Sequence, residues 1–424
     1  MSLAVRVLIA LVLGVGFGLA LASGSAEAAG TLAGVLQPIG TLWVSAIRMA
    51  IIPLIVSSLL LGVGGAPDAK TVGVLGARGL AMFIAMLTVA GIFALAIAPP
   101  IFATITIDPA AAESLRASAA QAGATAIEGA KTLPSVSQWF IDLVPVNPVK
   151  AAADGALLPL IVFSIALGAA LTKIDPTRRG ALLGVMSAVQ QACLTVMSAV
   201  LVLAPVGVFC LAFVLATRLG TAAAGALLTY VLTVSAISVA FCLFVIYPAA
   251  AVFGRIPIMT FARAIVPAQA VAMSARSSLA AFPAMLTIVR EKFALPEPIV
   301  AFLLPLMITV FRCGAVIGQV IGAMFIARLY GIDLTAVQLA TLTATSIATS
   351  FSVPGIPGGG IIMMVPVLLS AGLPAEGVGV LLAVDTIPDM FRTTTNVTAD
   401  LAAAVLLGRR NGAPAAATPA PTSA

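Results

Sequence analysis

Histidine is absent from the 424-residue sequence, and charge is scarce: Asp, Glu, Lys and Arg together make up 8% of it. Without imidazole the chain lacks the commonest metal ligand and the usual proton carrier near neutral pH, so any proton handling falls to carboxylates. So little charge excludes a water-facing globular surface, for which about 25% charged residues are usual. Four cysteines occur, Cys193, Cys210, Cys242 and Cys313, all in apolar stretches and without CxxC spacing. That placement suits small core residues, not a disulfide or a metal site. No basic run is interleaved with aromatics, so the net charge of +6 does not indicate nucleic acid.

What the chain has in quantity is apolar length. Hydrophobic residues make up 61% of it, with a mean hydropathy of +1.19. They fall in long runs, which predicts a polytopic all-α membrane protein. The 37 Gly and 27 Pro argue against simple straight spans. Spans are expected at 3–23, 40–65, 77–105, 155–172, 181–216 and 222–252. The first thirty residues also have the pattern of a secretory signal, with Arg6 before an apolar run and Ala26-Glu27-Ala28 as a small-residue cleavage site. A retained first span is preferred, because the following segments need it to keep their topology. A polar, Ala-rich stretch at 106–150 separates the third and fourth spans. Beyond 252, segments 258–290 and 335–372 are apolar but broken by Pro, Gly and Ser, and each precedes a long span, 296–330 and 376–408. The Ala/Pro/Thr tail from Asn411 to Ala424 is expected to be disordered.

Charge sets an orientation. With both broken segments treated as re-entrant hairpins and the termini inside, twelve Lys and Arg fall on the cytoplasmic side and five outside. Full crossings by both segments would still return Arg409 and Arg410 to the inside, so the count supports hairpins without requiring them. Arg48, Arg276, Arg312, Arg392, Asp385, Asp389 and Asp400 remain inside apolar segments. A charge at the bilayer centre costs roughly 2.5–3.5 kcal/mol even on lenient insertion scales. Arg48 has a scaffold or snorkelling explanation. The other six fall within 276–400, where the helices are broken, and mark the functional core.

In the last span, Asp385, Asp389, Arg392, Asn396 and Asp400 fall within an arc of about 80° on one helix face, bordered by Thr393. A purely structural ladder is the plain alternative, since Asp389 and Arg392 are i,i+3 neighbours. The broken segments supply the other half of a site. The first holds Ser274-Ala275-Arg276-Ser277-Ser278 and Phe282-Pro283; the second runs from Thr349 through Pro354-Gly355-Ile356-Pro357-Gly358-Gly359-Gly360. Such Gly and Pro density stops a helix and turns the chain, and irregular backbone at membrane depth is tolerated only inside protein or along a cavity. A helix starting after each turn aims its positive end inward, ready for an anion. Two such hairpins, each before a polar-bearing span, read as halves of an inverted repeat; Gly-kinked ordinary helices are the alternative.

These residues resemble a known family. Arg276-Ser277-Ser278 with its nearby Pro, the Gly355–Gly360 run, and the segment from Asp389 to Asp400 together resemble the dicarboxylate/amino acid:cation symporters, the family of glutamate and aspartate transporters. The likeness covers nearly the whole chain and is most specific over 270–400. It implies eight transmembrane helices, two re-entrant hairpins, a homotrimer and an elevator-like motion. Residues 1–257 would form the trimerising scaffold (the third span partly in the transport domain), 258–408 the transport core and 409–424 a disordered tail. By resemblance Arg392 would hold a substrate side-chain carboxylate, Asp389 its ammonium, and Thr393 would assist. Ser277, Ser278 and the second hairpin would hold the main-chain carboxylate. Asn396 and Asp400 correspond to cation-site residues.

The seventh span departs from that pattern. Where the family usually carries Asn-Met-Asp-Gly-Thr, this chain has Phe311-Arg312-Cys313-Gly314-Ala315, and Met307 stands where Gly is usual. Sodium, a hard cation, wants oxygen ligands, and Phe, Cys and Ala side chains offer none. No metal and no cofactor is therefore expected, apart from a residual sodium site at Asn396 and Asp400. Arg312 is expected to pair with Asp400 or Asp385 as a tethered cation, with Asp385 as the candidate proton carrier.

The reading that follows is a multi-pass transporter of the cell inner membrane for a small anionic substrate, most simply acidic amino acids, coupled to protons or exchange in preference to sodium. A C4-dicarboxylate is the runner-up substrate, and a non-transporting sensor or scaffold the alternative from another class. An intramembrane hydrolase using Ser277 or Ser278 would lack a base, since there is no histidine and no lysine within a span. The chain is not read as an enzyme.

Overall fold

A computed structural model describes residues 3–65, 69–104, 141–218, 226–351 and 359–410, with 112–113, 115–116 and 138 between them. Most of the polar stretch before 141, the run 352–358, the residues beyond 410 and the side chain of Arg48 lie outside the described residues. Among the described residues every regular element is helical.

Helix α1 (Leu3–Gly24) is divided from α2 (Ala26–Gly64) at Ser25, whose hydroxyl accepts the Ala28 N–H at 3.2 Å. The second helix thus begins well before residue 40. Ala26-Glu27-Ala28 forms its first turn, where the Glu27 carboxylate suits the positive helix end. There follow α3 (Ala69–Ala103), α4 (Pro148–Ala153), α5 (Leu157–Leu171), α6 (Pro176–Val202) and α7 (Ala204–Arg218). The expected single span 181–216 is therefore two helices. Pro205 has no N–H to give the Leu201 carbonyl, so the preceding helix cannot run on through it and the chain steps at Leu203. Helix α8 (Ala226–Phe241) runs through a π-helical turn, Cys242–Ile246, into α9 (Tyr247–Val252).

The first broken segment is a hairpin. Helix α10 (Ile258–Ala275) ends at Arg276 in the left-handed region, φ 49° and ψ 38°, and the extended Ser277 caps α11 (Ser278–Thr287), its hydroxyl accepting the Ala280 N–H at 3.3 Å. Two residues turn the chain, and α10 packs against α11. A left-handed non-glycine residue costs about 1–2 kcal/mol, a strain that the surrounding packing must hold. The second broken segment turns as well: α14 (Ala336–Ser350), opened by a Thr335–Gln338 capping box, packs against α16 (Met364–Ser370), with the short α15 (Gly359–Ile362) between.

The seventh apolar segment departs from its expected continuity. It runs from a π-helical turn, Ile299–Leu303, into α12 (Leu304–Val310), loses helical form at Phe311 and Arg312, and resumes as α13 (Cys313–Leu329). No proline marks the break. Ile308-Thr309-Val310 is a β-branched run of lower helix propensity, and Phe311 is drawn sideways onto the Phe83 ring, with centroids 4.9 Å apart. The eighth segment steps at Asp385, between α17 (Val378–Val384) and α18 (Thr386–Arg410), where Pro388 leaves the Val384 carbonyl without its helical donor.

Helix α18 lies at the centre, touching α8, α9, α10, α11, α12 and α13, while α3 lies along α13. A second group packs α1 on α7 and α2 on α5, α6 and α7. The segment Ile299–Leu329 is buried along nearly its whole length, whereas α3 turns Leu80, Ile84, Val89 and Ile92 outward. Four described stretches are long and apolar enough to cross a bilayer: Gly73–Ala103, Leu227–Val252, Ile258–Ala275 and Ile299–Leu329.

Candidate functional site

The polar face of α18 is real and buried. Asp385, Asp389, Arg392, Thr393, Asn396 and Asp400 are all withdrawn from solvent. One nitrogen of Arg392, Nη2, donates to Asp385 Oδ1 at 2.7 Å and to Asp389 Oδ1 at 3.1 Å. The second bond joins i,i+3 neighbours; the first reaches back across the step that Pro388 creates. A buried guanidinium needs such partners, because taking charge from water is costly unless it is paired and hydrogen-bonded.

Small residues make room for this side chain. A Cβ at Gly314 would land on the Arg392 carbonyl, and one at Gly318 on its Cδ. The spacing Gly314, Gly318, Gly322 is the small-residue pattern that lets two membrane helices approach closely. A Cβ at Gly360, on the return arm of the second hairpin, would come within 3.8 Å of Arg392 Nη2. From the first hairpin, the charge of Arg276 acts on Asp385, and Ser277 and Ser278 are buried, the Ser278 hydroxyl having no hydrogen-bond partner. Both hairpins and α18 thus meet near Arg392. Of the second turn, Gly359 is in α15, and Gly355, Ile356, Pro357 and Gly358 lie outside the described residues.

Lower on α18 the arrangement differs. Asn396 Oδ1 accepts the Gly314 N–H at 2.8 Å, tying the first turn of α13 to α18. Asp400 is fully buried, and neither of its oxygens accepts a hydrogen bond. Arg312, in the helix break, donates from Nη2 to the Ile308 carbonyl at 2.9 Å. It makes no ion pair within 4.0 Å, so the direct pairing with Asp400 or Asp385 expected from the sequence is not formed. Asp385 is held by Arg392, and the guanidinium of Arg312, at the non-helical break, reaches back to the Ile308 carbonyl of α12.

The sequence pattern did not single out some site neighbours. Tyr230 of α8, fully buried, is within electrostatic reach of Arg392. Gln319 of α13 accepts from Thr349 of the second hairpin at 3.3 Å. Gln269 of α10 donates to Tyr247 at 3.1 Å and to Thr398 at 2.9 Å, and Cys242 contacts Thr395 at 3.5 Å. A polar residue in an apolar run was the available signal for Gln269 and Gln319; Tyr230 gave none.

Comparison with known proteins finds that the model of the Sodium:dicarboxylate symporter family matches residues 3–410. The Proton/glutamate-aspartate symporter of Escherichia coli (strain K12) is 30% identical over 408 residues, covering 96% of this chain and 92% of the relative. The Proton/sodium-glutamate symport protein of Bacillus subtilis (strain 168) is 32% identical over 413 residues, 97% and 93% of the two chains. A C4-dicarboxylate transport protein of Anaeromyxobacter sp. (strain K) is 27% identical over 417 residues, 97% and 90%.

Proposed function

This chain belongs to the Sodium:dicarboxylate symporter family, and from that premise we propose that it is a cation-coupled symporter that carries acidic amino acids, aspartate or glutamate, across the cell inner membrane. The observation that carries this reading is the buried Arg392 guanidinium, flanked by two carboxylates and approached by both hairpins. A planar guanidinium matches a carboxylate bidentately, so a substrate side-chain carboxylate would take the place of Asp385 on Arg392. Asp389 would then hold the ammonium, and Ser277, with the unpartnered Ser278 hydroxyl, the main-chain carboxylate. Thr393 would assist beside Arg392.

In this reading eight spans cross the bilayer with both termini cytoplasmic, and the α10/α11 and α14/α16 hairpins enter and leave on one side as halves of an inverted repeat. Residues 258–408 would move as the transport core, with part of the third span, against a scaffold of the earlier spans in a homotrimer. The segment around Gly355–Gly358 would open and close over the substrate. Coupling to protons or to exchange is favoured over sodium coupling, and Asp385, released from Arg392 when substrate binds, would be the proton carrier.

A C4-dicarboxylate is the second reading, favoured by the transport protein of Anaeromyxobacter. Asp389 argues against it, since an added carboxylate repels a dianion and attracts an ammonium. Uptake into proteoliposomes of labelled aspartate, glutamate, succinate and malate tests the choice. Preferred uptake of the amino acids supports the proposal; preferred uptake of succinate or malate replaces it with the second reading; uptake of none leaves a sensor or scaffold.

A further inference from the structure

Among the described carboxylates on the α18 polar face, Asp400 is the one with no hydrogen-bond donor on either oxygen. It is also fully buried. One fixed positive charge acts on it, that of Arg312, and Asp400 in turn is the strongest charge acting on Arg312, with Asp389 second. Arg312 is itself 4% exposed, with its Nε unpartnered. Both groups therefore sit in low dielectric, where charges interact across longer distances than in water.

The family's description implies sodium, and the donor set at the α12–α13 break does not fit it. Hard monovalent and divalent cations are held by several oxygens. Phe311 is stacked on Phe83, and Cys313 and Ala315 bring no oxygen. The carbonyl of Ile308 is taken by Arg312, and the Asn396 oxygen by the Gly314 N–H. Of the side chains named, that leaves the carboxylate of Asp400, which already lies in the field of Arg312. Three buried carboxylates, Asp385, Asp389 and Asp400, are set against two buried guanidiniums, Arg312 and Arg392, with the half-buried Arg276 as a third cation acting on Asp385.

We propose that Arg312 is a built-in counter-cation for Asp400, anchored at the helix break by the Ile308 carbonyl, and that it replaces a sodium ion there. An arginine stays protonated and cannot leave. It would neutralise Asp400 in the loaded and the empty protein alike, so that substrate binding needs no sodium. The consequence for substrate rests on the transport reading above; the charge relation between Arg312 and Asp400 does not.

Two measurements on the purified full-length protein separate these layers. The first is thermal unfolding of Arg312→Met, Asp400→Asn and the double variant, with Arg312→Lys as a charge-retaining control. Each single neutral variant is expected to melt lower than wild type, and the double variant to recover most of the loss, as a double-mutant cycle of two coupled charges requires. Additive losses in the double variant would overturn the pairing, as would an unchanged midpoint for Arg312→Met. The second is L-aspartate affinity in sodium chloride against choline chloride at equal ionic strength. Wild-type affinity is expected to agree within about threefold between the salts, and Arg312→Met to lose about tenfold or more in choline. The double variant is expected to regain it. A gain of tenfold or more on adding sodium to wild type, about 1.4 kcal/mol of coupling, would overturn the replacement of sodium. If the melting cycle shows coupling and L-aspartate does not bind in either salt, the substrate reading fails and the charge pairing stands.

Discussion

Two acidic stations lie along α18 and the step just before it, and they are handled in opposite ways. At the upper one, Asp385 and Asp389 share the guanidinium of Arg392 through hydrogen bonds of 2.7 and 3.1 Å, all within one local stretch of chain. At the lower one, Asp400 has no donor on either oxygen, and its compensating charge comes from another element, the break between α12 and α13. A local ion pair can be opened by a competing carboxylate that offers the same geometry. A charge relation across a helix break, held at a distance by a backbone carbonyl, cannot be traded for an incoming ligand. The first station has the properties of a binding site, and the second those of a permanent counter-charge.

The largest expected effect is at the upper station. Arg392→Ala leaves two buried carboxylates uncompensated, and removing one partner of such a pair costs about 3–5 kcal/mol. Aspartate binding should be abolished and the thermal midpoint lowered. Adding Asp385→Asn should return part of the stability but none of the aspartate affinity, measured by calorimetry. Aspartate binding at wild-type strength in Arg392→Ala would remove the distinction between the two stations.

Gly314→Ala acts on both stations at once, because its Cβ would meet the Arg392 backbone while its own N–H holds Asn396. Overpacking of this kind costs about 1–3 kcal/mol. A drop in unfolding midpoint with weakened aspartate binding is expected; unchanged stability would mean that α13 and α18 have more room than this packing allows.

A smaller effect is expected from Asp389→Asn, which keeps the shape but removes a charge. Amino-acid affinity should fall by about tenfold relative to succinate, about 1.4 kcal/mol, in competition binding. Equal losses for aspartate and succinate would show that Asp389 does not read the ammonium. The mildest change is Gly358→Cys, in the Gly/Pro run of the second broken segment. A thiol reagent should modify it more slowly with aspartate present, since loops that cover binding sites belong to the less stable parts of a fold. Equal rates would remove the gating role.

Much of this was legible in the amino-acid sequence. The 3.6-residue period placed the α18 polar residues on one face, and all of them are buried there. The Arg276-Ser277 turn was marked by its serines and by the loss of apolar continuity. Other features were hidden. The break at Phe311–Arg312 has no proline to announce it, only the weak local signal of the β-branched Ile308-Thr309-Val310 run. The clearance that Gly314 and Gly318 give Arg392 was present as a spacing, but its partner was not. Arg312 was expected to touch a carboxylate, and it donates to the Ile308 carbonyl of the preceding α12.

Composition and periodicity alone decide that this chain lives in a bilayer, that its interior charges gather in 276–400 and that one helix presents them on one side. Those conclusions depend only on hydration cost and helical geometry, both local properties of the sequence. Which charge meets which depends on where helices lose their form and how closely their backbones approach. The sideways pull of Phe83 on Phe311, the absence of a Cβ at Gly314 and the step at Pro388 together determine that Asp385 is bound to Arg392 while Asp400 stands apart. The first two are contacts between residues distant in sequence, and their energies arise only once the chain has folded.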